Sequence, residues 1–96
     1  MNAPMTNAAL LEKDHQHMIH PLHHTQGHSH GRVWVRGEGS FLYDADGNRF
    51  IDGLSCLWNV SAGHGRQELA DAAHKQMSSL AFASSYAGGS NEPAIE

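Results

Sequence analysis

The chain carries one cysteine, Cys56, so no disulfide can close within it, and a reducing compartment is the expected setting. Its longest wholly apolar run is a few residues, far short of the roughly 20 needed to cross a bilayer as a helix. The opening residues, Met1-Asn2-Ala3-Pro4-Met5-Thr6, have neither the basic start nor the apolar stretch of a secretion signal. Only 6 of 96 residues are Lys or Arg, they are scattered, and the net charge is -4 with histidine neutral. Binding to nucleic acid or to an anionic membrane needs clustered positive charge, so neither partner is expected. These absences together describe a soluble, cytoplasmic protein.

At 96 residues there is room for one small domain and not for a two-domain enzyme. The hydrophobic fraction, 40%, allows a modest core. Composition changes along the chain. Residues 1–32 are polar and rich in histidine, and residues 33–96 hold the strand-like and helical patterns. Within the first part, Leu10, Leu11, Asp14 and Met18 recur every three to four residues. That spacing predicts a helix over 8–19, capped by Thr6 or Asn7 and ended by Pro21.

Val33-Trp34-Val35-Arg36 is β-branched and aromatic, hence strand-like, and Gly37-Glu38-Gly39 is expected to turn the chain. Ser40-Phe41-Leu42-Tyr43 and Arg49-Phe50-Ile51-Asp52 then flank Asp44-Ala45-Asp46-Gly47-Asn48. This pattern predicts a hairpin with Gly47 or Asn48 at positive φ, and so a three-stranded antiparallel meander. Gln67 to Leu80 places Leu69, Ala72, Ala73, Gln76, Met77 and Leu80 on one helical face, with Glu68 in the first turn where the helix dipole favours an anion. Residues 81–90 read as a loop. In Asn91-Glu92-Pro93-Ala94-Ile95-Glu96 a capping residue precedes a proline suited to a first turn. A helix is starting where the chain stops, and one turn of helix is unstable by itself, so a truncated polypeptide is expected.

Several motifs suggest chemistry. His15, His17, His20, His23, His24, His28 and His30 are potential transition-metal ligands. A structural site wants four ligands in a rigid frame, and five of these seven histidines follow the predicted helix in what reads as a flexible segment, so adventitious binding is the favoured reading and no metal site is assigned. Asp44 to Asn48 resembles a calcium loop only faintly. An EF-hand has glycine at its sixth position and glutamate at its twelfth, where this chain has Arg49 and Ser55. Gly63-His64-Gly65 before a helix is a general recipe for anion binding, but without a third glycine it fits a tight turn better. Cys56 has no histidine at a diagnostic spacing and carries little weight as a nucleophile. Leu54-Ser55-Cys56-Leu57-Trp58-Asn59 reads either as core after a hairpin or as a pocket wall between Gly53 and Gly63. The residues alone do not choose between them.

Taken in order, Asp14 with His20-Pro21, the run Gly39 to Gly53, Leu57-Trp58-Asn59-Val60, Gly63-His64-Gly65, Glu68 to Met77, and Asn91 to Glu96 resemble the class III aminotransferases, over about residues 10–96. The resemblance implies the N-terminal α+β part of an α/β enzyme of fold type I, whose large cofactor-binding domain is missing here. It implies pyridoxal phosphate held on a lysine, with an amino group moved from an amine or ω-amino acid to a 2-oxo acid such as pyruvate. It further implies that Leu57, Trp58 and Leu22 line the substrate pocket, and that Tyr86 lies by the neighbouring subunit's pocket in a homodimer. Lys13 and Lys75, in an arm and on a helix, do not match the imine lysine, so this stretch by itself is expected to be inactive. Two other readings compete: a small histidine-rich metal-binding protein, and a non-catalytic interaction module.

Overall fold

The computed structural model describes residues 4–21 and 31–96, and the expectations for Leu22, His23, His24, His28 and His30 lie outside the described residues. The chain forms two compact units, Met1–Gly65 and Arg66–Glu96.

The first unit begins with α1, Asn7–His17. Thr6 is its cap: the Thr6 hydroxyl accepts from the backbone N–H of Ala9 at 3.3 Å, which satisfies one of the unpaired donors of a first turn. Asn7 is instead a brace. Its N–H donates to Asp46 Oδ1 at 2.8 Å, and its side-chain oxygen accepts from the N–H of Val33 at 2.7 Å. The helix stops at His17, earlier than the expected Ile19, because Met18 turns extended while its N–H still bonds the Asp14 carbonyl.

Strands β1 (Trp34–Glu38), β2 (Phe41–Asp44) and β3 (Arg49–Ile51) form the antiparallel meander in the order β1-β2-β3. The first strand runs on through Gly37 and Glu38, where a turn had been expected, since Gly37 pairs with Leu42 and Glu38 with Phe41. A bulge between Trp34 and Arg36 adjusts the register. The β2–β3 connection is built around one side chain. Asp44 Oδ1 accepts from the N–H groups of Asp46 (3.1 Å) and Asn48 (2.8 Å), and Asp44 Oδ2 accepts from Asn48 Nδ2 at 3.0 Å. Gly47, at φ 85°, supplies the positive dihedral.

Asp44 is the buried residue among those described, and none of the described hydrophobic residues is buried. The sheet is instead layered by stacking. Trp34 meets Phe50 edge-on at 5.4 Å. The guanidinium groups of Arg32, Arg36 and Arg49 lie 4.2, 3.6 and 4.6 Å from the rings of Phe50, Tyr43 and Phe41. After β3 comes α2 (Ser55–Trp58), a single turn with unusual dihedrals.

The second unit holds α3 (Gln67–Ser79), a 3₁₀ turn at Tyr86–Gly88 inside the expected loop, and α4 (Glu92–Ile95). Helix α3 bears Glu68 in its first turn as expected, and the Arg66 side chain pairs with that carboxylate. Asn91 stands at the start of α4, with Pro93 in its first turn. The apolar stripe of α3 is exposed, with Leu69, Met77 and Leu80 all open to solvent. No helix among the described residues is long and apolar enough to cross a membrane.

Candidate functional site

The chemistry of the first unit gathers between the end of β3 and the paired glycines. Residues Ser55, Cys56, Leu57 and Trp58 have φ of 49, 46, 60 and 67°. Four consecutive L-residues thus occupy the left-handed region, where Cβ crowds the following carbonyl at a cost of about 1–2 kcal/mol per residue. Such a turn persists only when its surroundings over-determine it, and strain of this kind clusters at functional segments.

The restraints come from both ends. Asp52 Oδ1 accepts from the N–H of Cys56 at 3.0 Å. From the other side, Asn59 Nδ2 donates to the carbonyls of Cys56 (3.0 Å) and Leu57 (3.1 Å). Asp52 is itself anchored, since its Oδ2 lies 2.7 Å from His64 Nε2 and both side chains are largely buried, at 8% and 14% exposure. His64 is fixed in turn. Its N–H and carbonyl exchange hydrogen bonds with Gly39 at 2.8 and 2.9 Å, and its ring packs on Gly37, where an added Cβ would sit 2.6 Å from the ring. Gly63 and Gly65, at φ 89 and 69°, make the tight turn expected of them and also let their backbone lie against Gly39 and Gly37.

The charges follow from these contacts. The Cys56 N–H and then His64 hold the Asp52 carboxyl below its ordinary value against the opposing effect of burial. Ionised, Asp52 only accepts, so Nε2 of His64 carries the proton in this contact. The Cys56 thiol is pushed up, first by loss of solvent and then by Asp52. Cys56 Sγ lies 3.9 Å from His64 Nε2, a proximity that sequence reasoning missed. The signal was there as Asp52, Cys56 and His64 at spacings of four and eight, but only the turn shows that they converge.

Convergence does not make this a nucleophilic triad. A relay needs the acid on one imidazole nitrogen and the nucleophile on the other, whereas Asp52 and Cys56 both face Nε2. The raised thiol opposes thiolate formation as well. As for metals, these three are the group among the described residues whose donor atoms lie within 4.8 Å of one another. A metal would have to take Nε2 from Asp52, so the Asp52–His64 pair must break before a cation can enter.

Leu57 and Trp58, the expected pocket residues, stand together on the left-handed turn and are 61% and 77% exposed. Leu22 lies outside the described residues. Tyr86, in the second unit, sits in the 3₁₀ turn beside Ala87 at φ 57° and is 89% exposed. Lys13 is exposed with its amine 3.6 Å from Met5 Sδ, and Lys75 is exposed on α3. Asp44, the buried carboxylate, is saturated by Asn48 and Asp46.

Comparison with known proteins gives a consistent picture. Residues 23–95 match the family described as aminotransferase class-III. The chain is 36% identical over 94 residues to the diaminobutyrate–2-oxoglutarate transaminase of Halomonas elongata, covering 94% of this chain and 20% of that protein. It is 33% identical to the putrescine–pyruvate aminotransferase of Pseudomonas aeruginosa, covering 100% of this chain and 22% of the relative. Among solved structures it resembles a thermostable (S)-enantioselective omega-transaminase from Thermomicrobium roseum, with a TM-score of 0.86, 44% identity, and coverage of 98% of this chain and 22% of that one. The omega transaminase of Pseudomonas jessenii in complex with PMP aligns with a TM-score of 0.82 at 33% identity, over 90% of this chain and 19% of that one. The chain spans about a fifth of the length of these proteins.

Proposed function

This chain belongs to the class III aminotransferases, and from that membership we propose that it serves as the N-terminal segment of a pyridoxal-phosphate transaminase and presents Leu57 and Trp58 to the amine substrate. The observation that carries the proposal is the match of nearly the whole chain to one stretch of transaminases in both sequence and backbone. The donor is an amine or ω-amino acid and the acceptor a 2-oxo acid such as pyruvate. Leu22 contributes to the same pocket, and Tyr86 approaches the pocket of the neighbouring subunit in a homodimer. The imine lysine and the groups that hold the cofactor come from outside this segment, in keeping with the exposed positions of Lys13 and Lys75. The exposed apolar face of α3, with Phe82 and Ile95 nearby in sequence, supports a role within a larger assembly that covers it. The single cysteine supports a cytoplasmic setting.

The side chains here bind and orient. Trp58 and Leu57 offer apolar surface to the substrate's organic part, and removing water there strengthens polar contacts made elsewhere in the site. A chimera tests the proposal: residues of this chain replace the matching segment of the Thermomicrobium roseum enzyme, and transfer from an amine to pyruvate is measured. Retained turnover is expected, with a raised amine KM when Trp58 is changed to alanine. A folded chimera without amine:pyruvate activity would falsify it.

A further inference from the structure

The left-handed turn runs against the preference of its own residues, although its backbone closes through the N–H groups of Trp58 and Asn59, which donate to the carbonyls of Leu54 and Ser55 at 2.9 Å each. None of Ser55, Cys56, Leu57 and Trp58 is a glycine, and all four hold positive φ. Right-handed or extended geometry is the default for each and offers the same backbone bonding at lower cost, so contacts beyond those bonds help select the observed one. Two side chains do so by hydrogen bonding the backbone of its middle: Asp52 at the N–H of Cys56, and Asn59 at the carbonyls of Cys56 and Leu57. Asp52 is held to the sheet through His64, whose backbone bonds Gly39. A continuous path thus runs from the β1–β2 end of the sheet to the exposed Leu57 and Trp58.

We infer that Asp52 and Asn59 are positioning residues for the amine pocket, which fix Leu57 and Trp58 by clamping Ser55–Trp58 in its left-handed form. This rests on the transaminase reading for its substrate, but the clamp itself is a property of the chain. His64 is the post on which Asp52 is mounted. Neither Asp52 nor Asn59 need touch substrate, and their effect on selectivity travels through the backbone of the turn.

Two measurements test it. By NMR on the full 96-residue chain, residues at positive φ show strong intraresidue HN–Hα cross-peaks. These are expected at Cys56, Leu57 and Trp58, and are expected to disappear in Asp52→Ala and in Asn59→Ala while β2–β3 cross-strand peaks persist. Asp52→Asn keeps an oxygen for the Cys56 N–H and is expected to restore them. Cross-peaks that survive both alanine variants, or that are missing from the unaltered chain, overturn the clamp. Should Asp52→Ala also lose the sheet, Asn59→Ala, which touches only the turn, decides. In the chimera, Asp52→Ala and Asn59→Ala are expected to raise the KM for a bulky aryl amine about tenfold with a smaller change for a short amine and little change in kcat, and Asp52→Asn to stay near the parent. Equal KM values in parent and alanine variants overturn the positioning role and leave the transaminase reading intact. A chimera inactive on every amine removes that reading, and with it the pocket role, whatever the NMR shows of the clamp.

Discussion

A methyl group at residue 37 is the sharpest test of how the site is built. An alanine Cβ there would lie 2.6 Å from His64 Cγ and 2.7 Å from both His64 Cβ and Nδ1. Carbon atoms pack at about 3.5–4.0 Å, so the two groups must separate by about 1 Å. The contacted atoms are the root of the imidazole, not a flexible tip. The backbone of His64 is tied to Gly39 by two hydrogen bonds and its far nitrogen to Asp52. No cheap movement is available, and overpacking of this kind costs about 1–3 kcal/mol. The strand would open locally, and the amides of Gly39 and His64, which bond across the opening, report it. Their hydrogen-exchange protection is expected to fall about 5- to 150-fold in Gly37→Ala. Gly53→Ala is the matched control, because a Cβ at Gly53 meets nothing within 4 Å. If Gly37→Ala protects both amides within twofold of the parent, the packing of His64 on Gly37 does not hold the site together.

Three further outcomes follow from the same geometry. The folded Asp44 and Asp52 carboxyls titrate below their ordinary 3.8, Asp44 chiefly through Asn48 and Asp52 chiefly through the Cys56 N–H. Their contribution is complete above that value and disappears as pH falls through the lower folded values, so the near-ultraviolet circular dichroism of the Trp34–Phe50 pair should hold steady from pH 7 to 5 and decline only further down; a decline beginning above pH 5 contradicts this. Ser55→Gly places glycine at φ 49° and should tighten exchange protection of the Asn59 amide by about 0.5–1 kcal/mol, the relief of left-handed strain less the added freedom of the unfolded chain; Ser55→Val should weaken it, and the reverse order would refute the assigned strain. Iodoacetamide at pH 8 should alkylate Cys56 more slowly than a free cysteine, because burial and Asp52 both raise its thiol, and Asp52→Asn should speed the reaction; an unchanged rate would remove Asp52 from the thiol's surroundings.

Local patterns carried much of this protein in its sequence. Thr6 ahead of a periodic stretch and Asp-Gly-Asn between two strand-like runs encode their elements through neighbouring atoms, and α4 starts where Asn91 and Pro93 placed it, though the Asn91 side chain makes no capping bond. The order of motifs sufficed for the family, which the match over residues 23–95 bears out. What the sequence concealed depends on atoms distant along the chain. Gly37 looked like a turn and is a strand residue, since it pairs with Leu42 and leaves room for a histidine 27 positions later. Cys56 looked isolated from any partner, yet the left-handed turn brings it to His64. That turn contradicts the local preference of all four of its residues, so no propensity could announce it. Asp52 and Asn59 hold it through hydrogen bonds to backbone only two to four positions away, and the tertiary structure adds the long-range tie, Asp52 to His64 across 12 positions, that anchors the turn to the sheet.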